Sequence, residues 1–180
     1  MARLDRALQL RTADRLRASL ARDEISGLPL VGALGEDDQR ELCQVGGGRL
    51  AALVIRVAWT LDPVASPPDI DAVRTLVMRE VARIVNGQVR QTDVLGSLSA
   101  DALLIFAPGL DRMNGLSLAE RLRALFLAGH LAVGGVEVQT RITIGFAARA
   151  AASPAGWTTE TLVEEAERDS SEPPPIAIVA

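Results

Sequence analysis

Val94-Leu95-Gly96-Ser97-Leu98-Ser99-Ala100-Asp101-Ala102-Leu103-Leu104-Ile105-Phe106-Ala107 sets two short apolar runs about a tight turn. The pattern predicts a β-hairpin, with strands Val94 to Leu98 and Ala102 to Ala107 around Ser99-Ala100-Asp101. Toward the N-terminus, a helix is expected from Asp69 to Val85, carrying Ile70, Val73, Val77, Val81 and Ile84 on one face and stopped by Asn86-Gly87. Before it lies a Pro-rich loop, Asp62 to Pro68, and a strand, Leu50 to Trp59, whose apolar run is broken only by Arg56. Toward the C-terminus come a helix from Leu116 to Leu127, the turn Gly134-Gly135, a strand from Val136 to Ala147 and a last helix from Thr158 to Arg168. Helices and strands mix without strict alternation around the hairpin, which is an α+β pattern with helices flanking a mostly antiparallel, five-stranded sheet. Ile176-Ala177-Ile178-Val179, after a triple Pro, is expected to be an edge strand.

The N-terminal part has two helical segments. Residues 1–22 repeat Leu4, Ala7, Leu8, Ala13, Leu16 and Leu20 at threes and fours, an amphipathic helix that either packs on its own domain or pairs with a second copy. Leu34 to Cys43 is a weaker helix, ended by Gly46-Gly47-Gly48. That triple glycine is not a phosphate loop, because no Lys-Ser or Lys-Thr follows it and a strand comes next. The expected organisation is a helix over 1–22, one domain over 23–171 and a Pro-rich tail over 172–180.

Composition narrows the function. The chain has 180 residues, enough for one full core, and at 3% aromatic that core is aliphatic. A net charge of −4 argues against a nucleic-acid partner. All 19 basic residues are Arg, so any anion here meets guanidinium forks rather than ammonium groups. Cys43 and His130 stand alone, which leaves no disulfide framework and no zinc cluster. With no apolar stretch of membrane-spanning length and no signal-peptide pattern, the expectation is a cytoplasmic protein or a cytoplasmic piece of a larger one, without a cofactor.

Asp23-Glu24-Ile25-Ser26-Gly27-Leu28-Pro29 resembles the Asp-x-Leu-Thr-Gly-Leu-Pro segment that opens GGDEF domains, the diguanylate cyclase fold. Later landmarks keep the family's order: the helix around Val77 to Arg83, Arg90-Gln91-Thr92-Asp93 as its Arg-x-x-Asp, and the hairpin closed by Pro108. Ala119-Glu120-Arg121-Leu122-Arg123 and Ile142-Thr143-Ile144-Gly145-Phe146-Ala147 match the following helix and strand. The resemblance covers about residues 20–170.

That resemblance implies a lost active site. A cyclase of this family joins two GTP molecules by phosphoryl transfer, with metal ions neutralising the triphosphate and carboxylates holding them. The Gly-Gly-Asp-Glu-Phe turn aligns with Ser99, Ala100, Asp101, Ala102 and Leu103, so both glycines and one acid are gone. The metal-binding Asp of the first strand aligns with Arg56, a cation where a cation should bind. Arg56 then either snorkels at a strand end or pairs with Asp101, and Asp101 reads as a polar turn residue. GTP held as an effector is disfavoured by the missing glycines.

The family's inhibitory site, by contrast, keeps its core: Arg90, Asp93 and Arg121 stand at the positions that bind an intercalated cyclic di-GMP pair. Arg forks to phosphate or to the guanine O6/N7 edge, and a carboxylate accepts from guanine N1 and N2. Arg90 and Asp93 fall between a helix end and a strand, where both are expected to point outward. The expectation is a catalytically inactive cyclic di-GMP receptor. A surface salt bridge is the plainer reading of the same pair. The alternative function is a scaffold that binds no nucleotide and dimerises or docks a protein through residues 1–22.

Overall fold

The computed structural model describes residues 2–61, 69–127, 129–150 and 159–169. The Pro-rich loop 62–68 and the tail 172–180, with its expected edge strand, lie outside them.

Two strands dominate. β1 (Arg49–Leu61) pairs antiparallel with β5 (Val136–Ala150) along its whole length, from Arg49↔Ala150 to Leu61↔Val138. β3 (Ala102–Pro108) lies on the other side of β1, and β2 (Val94–Ser99) pairs with β3 as the expected hairpin. The fifth strand is β4 (His130–Val133), a stretch for which the sequence predicts no element; it pairs with β5 and gives the order β2-β3-β1-β5-β4. Every named pairing is antiparallel.

The apolar run Leu50 to Ile55 in β1 exists because both of its faces are covered. Leu53, Ile55, Leu103 and Ile105 face α3 (Ile70–Asn86) and α4 (Arg112–Leu125), meeting Val77, Val81 and Leu122. Leu50, Ala52, Val54, Leu104 and Phe106 face the opposite way. There they meet Leu16 of α1 (Ala2–Ser19), Leu42 of α2 (Glu36–Val45), and Leu162 and Ala166 of α5 (Thr159–Asp169). A short 3₁₀ turn, Val31–Ala33, adds Val31 to that second core.

Local chemistry sets the ends. Asp69 caps α3 by accepting from the N–H groups of Asp71 and Ala72, and Asp111 caps α4 by accepting from Asn114 N–H. That cap lets α4 start at Arg112, four residues before the expected Leu116. After α2, Gly47 and Gly48 take positive φ of 66° and 78°, turning the chain directly into β1.

Candidate functional site

Two regions carry the residues singled out in the sequence. The first is the end of β1 beside the β2–β3 turn. Arg56 lies opposite Ala102, and the next residue, Val57, donates its N–H to the Asp101 carbonyl at 2.8 Å. Arg56 does not pair with Asp101: its guanidinium reaches Oε1 of Glu167 on α5 at 2.6 Å. Asp101 accepts from Ser99 Oγ at 2.8 Å and so serves its own turn. Ser99, Ala100 and Asp101 are exposed, whereas Ala102 and Leu103 are buried in the cores. A divalent cation does not fit this set, since one carboxylate is spent on the turn and a guanidinium stands at the neighbouring strand position. No step through a metal follows from these residues.

The second region is the loop joining α3 to β2. Arg90 is exposed, and Arg121 of α4 donates to the Gln88 carbonyl at 2.9 Å, so both guanidiniums border the same loop. Asp93 differs from expectation. It is 2% exposed and turned inward, with Oδ2 accepting the Arg90 N–H at 2.8 Å and Oδ1 buried without a hydrogen-bond partner. The inward turn has a local cause: the carboxylate caps the loop's own backbone, an option open to any Asp two or three residues beyond a free N–H. Burial pushes its carboxyl above the ordinary aspartate value, against the Arg90 N–H and the charges of Arg90 and Arg17, which pull the other way. Arg17 of α1 binds the loop from behind, donating to the Gln91 carbonyl at 2.6 Å and to the Asp93 carbonyl.

Behind this loop is a cleft of about 390 Å³ that the sequence reading missed. It lies between the end of α1, the Arg22–Pro29 turn, α3 and Asp93, and four of its lining residues are Arg17, Arg22, Arg79 and Arg83. The turn itself is held by Asp23, whose carboxylate accepts from Ser26 N–H at 2.7 Å and Ser26 Oγ at 2.6 Å. Burial opposes ionisation of Asp23, but the bonds from Ser26, Ile25 and Ser97 outweigh it and lower its pKa. The only sequence signal for the cleft is the all-arginine basic set, which carries no spacing that says which members meet.

The architecture now allows comparison. No family model matches this sequence, and no curated protein matches it by sequence. Among solved structures, the FimX GGDEF domain from Pseudomonas aeruginosa superposes with a TM-score of 0.61 at 13% identity, over 83% of this chain and 90% of that one. The chain has the fold of GGDEF domains. The GGDEF domain of DgcB from Caulobacter crescentus, solved in complex with c-di-GMP, gives a TM-score of 0.61 at 15% identity over 82% of this chain and 83% of that one. The diguanylate cyclase SiaD from P. aeruginosa, solved with its activator SiaC, gives 0.62 at 21% identity, covering 93% of this chain and 64% of SiaD. No helix among the described residues is long and apolar enough to cross a membrane.

Proposed function

We propose that this chain is a catalytically silent GGDEF-type domain, residues 23–171 behind the helix of 1–22, that receives cyclic di-GMP in the cytoplasm through Arg90, Asp93 and Arg121. The observation that carries the reading is the meeting of Arg90 and Arg121 at one exposed loop, with Arg121 bonded to Gln88. Two arginines at one exposed loop suit the phosphodiesters and guanine edges of a cyclic dinucleotide. The c-di-GMP-bound GGDEF domain of DgcB supports the ligand class. Asp93 must rotate outward to accept from guanine. That rotation gives up one bond, to Arg90 N–H, and frees an oxygen that has none.

Silence at the hairpin follows from charge. Arg56, tied to Glu167, occupies the strand position where the fold's cyclases need a carboxylate, so GTP with Mg²⁺ is expected to give no cyclic di-GMP. Calorimetric titration tests the receptor reading: cyclic di-GMP binds the wild type at micromolar or tighter Kd, and Arg90→Ala and Arg121→Ala each weaken it at least about tenfold. Absence of binding to the wild type sinks the reading. In that event docking of a protein or second copy through α1 takes its place, favoured by Leu8, which is 54% exposed while Ala13 and Leu16 of the same helix are fully buried.

A further inference from the structure

We propose that the arginine-lined cleft behind the α3–β2 loop is a binding site for a phosphomonoester, sharing Asp93 but no arginine with the cyclic di-GMP site proposed on the loop's outer face. In a chain of net charge −4, four arginines line one concavity. Its volume, about 390 Å³, is within the range of small-ligand sites.

Two of the four, Arg22 and Arg79, are fixed without being neutralised. Arg79 donates from Nε to the Ile25 carbonyl at 3.1 Å and from a terminal nitrogen to the Glu24 carbonyl at 3.2 Å. Arg22 donates to the Gly27 carbonyl at 2.9 Å. Among the described residues neither has a carboxylate partner, so carbonyl bonds hold the planes while the charge and the remaining donors stay available. Arg83 and Arg17 add charge from the two sides, each paired with one carboxylate of its own helix, Glu80 and Asp14. A phosphomonoester dianion matches clustered forks better than a phosphodiester, which carries a single charge.

A second observation points to a ligand with donors as well as an anion. Asp93 is the one carboxylate among the cleft residues, and its Oδ1 is buried with no partner. An unmet buried acceptor is costly, and a hydroxyl beside the phosphate satisfies it after a small shift of the side chain. The ligand class is thus a sugar phosphate or nucleoside monophosphate.

The test is ¹H–¹⁵N NMR of the arginine Nε–H groups during titration with ribose 5-phosphate, sulfate and cyclic di-GMP in turn. The expected result is saturable shifts at Arg22, Arg79 and Arg83 with ribose 5-phosphate. Arg83→Ala, which removes no bond to the turn, weakens that binding about tenfold. Uniform drift across all arginines, or sulfate binding as tightly as the ester, overturns the proposal. So does cyclic di-GMP shifting these three where ribose 5-phosphate does not. Loss of cyclic di-GMP binding on Arg90→Ala, with ribose 5-phosphate binding intact, upholds both sites and shows that the cleft does not rely on Arg90. Ester binding without any dinucleotide binding upholds the cleft alone.

Discussion

Asp93 uses its two carboxylate oxygens unequally, and that asymmetry can be read by titration. Its folded-state pKa is raised, so the folded chain keeps a proton that the unfolded chain has already lost. Stability therefore falls as pH rises from the ordinary aspartate value through the folded one, and stays lower above it. Asp93→Asn retains an acceptor for the Arg90 N–H and removes the ionisation, so its urea midpoint is expected to vary less with pH across that window. Asp23 behaves in the opposite sense. Its pKa is lowered, so its contribution is present above the ordinary aspartate value and is lost as pH falls through the folded one. Asp23→Ala is expected to cost about 1 kcal/mol at neutral pH, with the two unfolding curves converging in acid. Gly96 gives a packing test: a Cβ there would collide with the Val31 side chain and the Pro29 carbonyl, so Gly96→Ala is expected to destabilise by about 1–3 kcal/mol in urea denaturation.

At the scale of elements, α1 is both packed and latched. Leu16 is fully buried against the second core, and Leu16→Ala is expected to cost about 2–5 kcal/mol. Arg17, one residue on, holds the α3–β2 loop by two carbonyls, so Arg17→Ala is expected to speed amide hydrogen exchange at residues 91–93 while leaving β1 protected. Most elements were legible because their signals are periodic: β1, the hairpin, α3 and α5 fall within a few residues of expectation. β4 was not legible, since four residues between glycines are too few for alternation to register. The first turn of α4 was hidden by Asn114 and Gly115, residues that read as breakers. Gly115 is needed there for close packing, because a Cβ would strike the Phe146 ring. The loop around Arg90 and Asp93 was legible as a motif but not in orientation. A short polar loop has no period to say which side chain turns inward, and the Arg90 N–H decided it.

At the scale of the whole molecule, the GGDEF fold brings the β2–β3 hairpin, the Arg90 loop and the arginine cleft onto one sheet and its neighbouring helices. On the proposed reading, Arg56→Asp alone is not expected to confer cyclase activity, because the turn Ser99-Ala100-Asp101-Ala102 still has no glycine and a single acid, and a GTP turnover assay with Mg²⁺ should stay at background. The β1–β5 ladder described above has a consequence for how the chain acquires its shape. Its two strands are the widest-separated partners in the sheet, so their zipping needs nearly all of the intervening chain to be in place, a high contact order that slows folding. During synthesis β1 emerges long before β5. Until Val136–Ala150 arrives, thirteen largely apolar residues offer a bare backbone edge. A nascent or truncated chain ending short of β5 is thus a template for aggregation, and the ribosome's pace over the codons between β1 and β5 sets how long that hazard lasts.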